Sequence, residues 1–277
     1  MDSGAFGDTP QRPFATWDFA VGQCTGGRHD QILILPGHAE TITNTARVDC
    51  DVAAVQTIGL GSGRNRPTFT FATDTTADIN IDAANVTFDN LAFVGNIAAL
   101  AAPIDVNAAA FTMRRCDWFC AAATTDINIT VITDANADDM LLEWCTFNYI
   151  ASNAATAATV TNTMTEVIRL VGADRARIRN CYMNGNFTTS AINGITTASR
   201  DIQIYNNTII NVQTTDIAGI IDLVAGCDGV ISYNNGFHGF VTNLTGTIDP
   251  ASCAAIENYF SNVVTESGAI VPPTRST

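Results

Sequence analysis

Apolar residues recur along this chain in an eight-residue pattern that fills positions one, three, six and eight. The pattern first appears as Val86-Thr-Phe88-Asp-Asn-Leu91-Ala-Phe93. It returns as Phe111-Thr-Met113-Arg-Arg-Cys116-Asp-Trp118, Met140-Leu-Leu142-Glu-Trp-Cys145-Thr-Phe147 and Ala176-Arg-Ile178-Arg-Asn-Cys181-Tyr-Met183. Ile202-Gln-Ile204-Tyr-Asn-Asn207-Thr-Ile209 and Val230-Ile-Ser232-Tyr-Asn-Asn235-Gly-Phe237 follow, and Ala254-Ala-Ile256-Glu-Asn-Tyr259 is a degenerate last copy. First positions lie 25, 29, 36, 26, 28 and 24 residues apart. Positions one and three have the period of a β-strand. The jump from three to six marks a tight bend that resets which side faces inward.

A second short strand precedes each copy: Ile79–Ile81, Ile104–Val106, Ile127–Ile129, Val167–Leu170, Ile192–Ile195, Ile217–Ile220 and Leu244–Ile248. Turns rich in Ala, Asn, Asp and Ser join the pairs, as in Asp82-Ala-Ala-Asn85. Each unit reads strand, turn, strand, bend, strand, loop, and such units stack into a parallel β-helix. A β-sandwich also spaces its strands regularly, but it does not place like residues at like positions. Here position five reads Asn90, Arg115, Trp144, Asn180, Asn206, Asn234, Asn258, and position six reads Leu91, Cys116, Cys145, Cys181, Asn207, Asn235, Tyr259. The asparagine column is expected to form a ladder at the bend. The three successive cysteines are expected to pack as an internal column, with a disulfide geometrically open to them.

Seven rungs rise about 34 Å at ~4.8 Å each. Ile32–Leu35, Val52–Leu60 and Thr68–Phe71 supply further strands. The expected organisation is an N-terminal arm or cap over 1–30, a β-helix domain over 31–266 and a tail over 267–277. Trp17 and Phe19 are candidates for a cap or a docking contact.

Composition narrows the function. All thirteen basic residues are arginine, so lysine chemistry (phosphate binding, Schiff bases, general-base catalysis) is excluded. A net charge of −14 argues against nucleic-acid binding and against docking on anionic membranes. No apolar run approaches the ~20 residues of a membrane span, and MDSGAFGDTP lacks the n- and h-regions of an export signal. The eight cysteines are accordingly read as buried free thiols.

The rung pattern, Ile202–Ile209 above all, resembles the right-handed β-helix of the pectin-lyase-like superfamily over roughly residues 75–265. The resemblance implies an all-β, single-stranded, right-handed parallel β-helix of about seven or more rungs. Ile34-Leu-Pro-Gly-His-Ala-Glu-Thr-Ile42, Ile58-Gly-Leu-Gly-Ser-Gly-Arg-Asn-Arg-Pro-Thr-Phe-Thr-Phe71 and Ala84–Phe88 are more narrowly similar to β-helical virion structural proteins of tailed bacteriophages. That resemblance implies a homotrimeric capsid decoration protein that binds the major capsid protein on the virion surface, assembled in the host cytoplasm.

The superfamily's enzymes set the competing expectation. Paired carboxylates hydrolyse glycans by general acid and base, and Asp138-Asp139 is the one adjacent acidic pair. His238-Gly239 matches half of a Gly-His-Gly motif, but Phe237 precedes it and no Arg-Ile-Lys can follow. Asp138, Asp139 and His238 are therefore minority catalytic candidates in a chain read as non-enzymatic. No metal or cofactor is expected: His29, His38 and His238 show no ligand spacing. Gly59-Leu-Gly-Ser-Gly63 reads as a tight turn, not a phosphate loop. Arg175, Arg177 and Arg179 alternate and are expected to share one outward strand face, the best candidates for a protein contact. The alternatives are a carbohydrate-binding tailspike or fibre module that takes a surface glycan, and a polysaccharide lyase or hydrolase. Trp118 and Phe147 fall on inward positions, leaving few platforms on which a sugar would stack.

Overall fold

A computed structural model describes residues 4, 6–44, 47–122, 125–150, 163–213, 219–239, 247–262 and 269–270. Every third strand along the chain joins the same sheet, so the chain winds into a right-handed parallel β-solenoid of about eight turns. Sheet A holds nine strands, from Gln31–Ile34 to Ala254–Ile256. Sheet B runs from Ala39–Ile42 to Tyr259–Asn262, and sheet C holds eight strands, from Val48–Cys50 to Ile248–Asp249. One coil is an A, a B and a C strand; coil 1 starts at Gln31. Ala269–Ile270 closes sheet B antiparallel against Tyr259 and Phe260.

The inward columns are filled as the pattern requires. Phe69, Phe93, Trp118, Phe147, Met183 and Ile209 stack down sheet B, fully buried. The Phe93 and Trp118 rings stack nearly parallel with centroids 4.6 Å apart, a geometry that aromatic pairs favour.

The bend between sheets A and B is a single residue in the left-handed region. It is Asn90, Arg115, Trp144, Asn180, Asn206, Tyr233 and Glu257 in successive coils, with φ between 49° and 60°. One such residue swings the chain through the corner and resets its inward side. Only asparagine adopts this conformation readily; other side chains meet a cost of order 1 kcal/mol.

This corner corrects the expected register. Gly229 pairs with Ile202 and Val230 with Gln203, so the copies in coils 8 and 9 start one residue earlier than the apolar pattern suggested. Gly229 carries no side chain to mark the first position, and a Cβ there would lie 2.1 Å from the Ile202 carbonyl. Position six therefore reads Leu91, Cys116, Cys145, Cys181, Asn207, Asn234, Asn258. The buried asparagine ladder stands in this column, below the cysteines. The side chains of Asn207, Asn234 and Asn258 are hydrogen-bonded one to the next. The cysteines are free thiols.

The strand expected at Ile127–Ile129 is instead Ile129–Thr133. Those expected at Ile217–Ile220 and Leu244–Ile248 fall largely on undescribed residues; the strands lie at Ile221–Leu223 and Ile248–Asp249. The tail beyond Ile270 also lies outside the described residues. Gly61 and Gly63 take positive φ in the turn before Thr68–Phe71.

A short helix, Trp17–Gly22, plugs the N-terminal end. Trp17 is 2% exposed, 4.7 Å from the Phe69 ring and 4.8 Å from Phe88. Its indole N–H donates to Thr57 Oγ1 at 3.1 Å. Trp17 is thus a cap residue and is withdrawn from the candidates for an exposed contact. Phe19 is half-buried against Phe14.

Candidate interaction surface

Outward positions of sheet A form charge ladders. Asp89, 2% exposed, accepts from Arg114 Nε at 2.9 Å and from Arg115 Nε at 2.8 Å in the next coil. Glu143 pairs with Arg179 at 2.8 Å, and Arg179 donates to the Tyr205 hydroxyl at 2.7 Å while lying over its ring. Except for the corner residue Arg115, each partner sits one coil away at the same position, the ~4.8 Å neighbour in a parallel sheet.

The three-arginine strip is corrected in one respect. The strand is Arg177–Arg179, and Arg175 precedes it in a left-handed turn, φ 58°, so alternation does not reach it. Arg175 bridges Asp139 at 2.9 Å and Asp138 at 3.0 Å. Hydrogen bonds that it donates to Asp139 and then Asp138 hold its guanidinium protonated above its ordinary range. The same contact lowers the Asp139 carboxyl. A glycosidic general acid requires the opposite shift. His238 is 1% exposed on the interior side of sheet B in coil 8, whereas Asp138 and Asp139 lie on the turn from C to A that enters coil 5. The structure does not bring the three together.

Arg177 stands on the outer A face with no acidic partner within 4 Å among the described residues. Beside this strip, Trp144 is 60% exposed and Tyr233 52% exposed on the same A–B corner. Trp118 and Phe147 face inward as expected, yet exposed aromatics are present after all. Arg114, Arg115, Trp144, Tyr205 and Tyr233 escaped the sequence reading. Comparing outward positions coil by coil, where Glu143 stands against Arg179, would have found the ladder.

Sheet C differs. Asp49, Asp105, Asp222 and Asp249 occupy its outward positions, with Asp78, Asp82 and Asp134 nearby. Burial, followed by neighbouring aspartates, raises the Asp105 carboxyl, against a hydrogen bond from Asn107. A raised folded-state value means that the ionised form opposes folding. The cost is present above the folded pKa and vanishes below the unfolded one. Asp105→Asn is accordingly expected to raise the thermal midpoint at pH 7 and to leave it unchanged below about pH 4. Melts of both proteins across that range test this, and an equal gain at both ends would refute the charge argument.

Among the described residues no three His, Cys, Asp or Glu side chains are grouped to hold a metal. Burial pushes the Cys116 thiol up to about 12, the mark of a packing cysteine and not a nucleophile. A cleft of about 660 Å³ opens at the N-terminal end between Pro13, Phe14 and Trp17 on one side and Leu33, Leu35 and His38 on the other. No protein-family model, curated protein or solved structure matches this chain.

Proposed function

We propose that this chain is a non-enzymatic structural protein of a phage particle, a trimeric decoration protein that docks on the major capsid protein through the A face. The observation that carries the docking reading is that exposed Trp144 and Tyr233 stand with half-buried Arg177 on a rigid ladder. Tryptophan, tyrosine and arginine are the residues in which contact energy concentrates. The solenoid holds them in place through corners and ion pairs, so little is lost in ordering them on contact. Support for the virion assignment comes from the resemblance carried by Ile34–Ile42 and Ile58–Phe71.

Purified wild type is expected to co-sediment with heads that lack it. Trp144→Ala combined with Arg177→Glu is expected to weaken that binding at least about 30-fold, as loss of a contact centre does. Heads that bind neither protein, or both equally, refute the reading.

The exposed aromatics favour a second reading, a glycan laid along the A–B corner. Trp144 and Tyr233 stand three coils apart, about 14 Å, with Asn180 and Asn206 between them. Saturable binding of a polysaccharide, lost in Trp144→Ala and Tyr233→Ala and retained in Asp138→Asn, would favour it over the capsid.

A further inference from the structure

Charge is segregated by face. Sheet C carries four aspartates in its outward column, with one arginine, Arg169, bonded to buried Glu166, and sheet A carries paired acids and arginines. Across the nine parallel strands of sheet B, the outward positions hold one charged residue, Asp117, and Arg66 two coils earlier is bonded to it. The rest are Ala, Thr, Asn, Ser, Tyr and apolar residues. One column runs Val94, Phe119, Asn148, Asn184, Ile210, Phe237 in consecutive coils. Phe119 is 38% exposed, and Tyr259 at the end of the neighbouring column is 41% exposed.

The polar members of this face pair along the ladder. Asn184 Nδ2 donates to Asn148 Oδ1 at 3.2 Å and Thr208 Oγ1 to Asn235 Oδ1 at 3.3 Å. Donors paired within the sheet can leave water without being orphaned, although Asn184 Oδ1 is already buried without a partner. The surface is flat by construction, because every coil adds one strand in register.

We propose that the outer face of sheet B is where copies of this chain meet. The proposal deepens the trimer reading above and rests on it for the existence of an assembly. The argument for a second copy as occupant is electrostatic. Each chain carries −14, and like charges juxtaposed across a contact cost several kcal/mol. Contact on sheet C would set aspartate against aspartate. Contact on sheet B sets no charge against its like and leaves the acidic C sheets away from the contact. A partner recruited by charge would find no ion pair to make on sheet B except with the Arg66–Asp117 pair.

The test is the mass in solution, by light scattering on a sizing column. Wild type is expected at three times the 29.3 kDa chain mass. Phe119→Arg and Ile210→Arg, each placing an unanswered charge in the contact from a different coil, are expected at the single-chain mass, with association weakened at least about 30-fold. Both should keep the far-ultraviolet circular dichroism of the wild type, since both side chains point outward. Gln203→Arg, exposed on sheet A, is expected to leave the assembly intact. Wild type at 29.3 kDa overturns the trimer reading and this proposal together. An assembled wild type whose two sheet B variants remain assembled overturns only the face, as does dissociation by Gln203→Arg alone.

Discussion

Trp17→Ala is expected to lower stability by about 3–5 kcal/mol, the range for removing a large buried aromatic. The indole covers the open end of the solenoid and packs on both the Phe69 and the Phe88 rings. The substitution also deprives Thr57 Oγ1 of its donor at a residue 1% exposed. For a chain of this size each kcal/mol moves the thermal midpoint by about 2–4 °C, so a drop of roughly 10 °C is the expected reading. Solubility should fall with it, because an uncovered solenoid end presents an unpaired strand edge over an apolar core. Phe19→Ala, which removes a half-buried ring packed on Phe14, should cost under half as much. Thermal unfolding together with the soluble fraction after heating measures both effects. If Trp17→Ala melts like wild type and instead loses capsid binding, the N-terminal segment is a docking arm and not a cap.

The architecture was legible in the sequence because burial imposes a period of two on each short strand, and stacking repeats that period coil after coil. Phe88, Met113, Leu142, Ile178 and Ile204 are inward for that reason and declare themselves. The register failed where the reason failed. Gly229 has no side chain to declare, and Val230, 39% exposed, has an apolar one on the outside. The left-handed corner was harder still, because arginine, tryptophan, tyrosine and glutamate share that column with asparagine. A conformation that any residue can be held in by its neighbours leaves little trace in composition. The arginine strip was visible as residues but not as pairs. Arg175 answers Asp139, 36 positions earlier, a separation meaningful only once coil lengths are known. Trp144 lay inside a copy of the apolar pattern, at the corner position that points out.

The second large effect is expected at Asn234, the centre of the ladder and fully buried. Its Oδ1 accepts from the Asn207 backbone N–H at 3.1 Å and from Asn207 Nδ2 at 2.9 Å. Its Nδ2 donates to the Ile204 carbonyl and to Asn258 Oδ1, both at 2.9 Å. Asn234→Ala therefore orphans donors and an acceptor that no water can reach, each costing about 1–3 kcal/mol. Because the losses share partners and do not add fully, about 3–5 kcal/mol is expected, read as the shift of a urea unfolding midpoint. Cys181→Ala, two coils earlier in the thiol half of the same column, removes only a weak donor 3.3 Å from the Arg179 carbonyl; its expected cost is about 1–2 kcal/mol. Asn234→Leu should recover the packing but not the orphaned groups, and so fall between the two. Equal costs for Asn234→Ala and Cys181→Ala would mean that the amide ladder contributes no more than volume. The contrast has a structural basis. Where the column holds thiols, sheet B beside it is filled by Trp118 and Phe147. Beside Asn207 and Asn234 the neighbouring inward positions shrink to Ile209 and then Gly236, at which a Cβ would meet the Ile209 carbonyl at 1.7 Å, before Phe260 fills the position beside Asn258. Hydrogen bonds along the axis take over the stacking of coils where the apolar filling thins, so the C-terminal half should depend on its asparagines more than the N-terminal half depends on its cysteines.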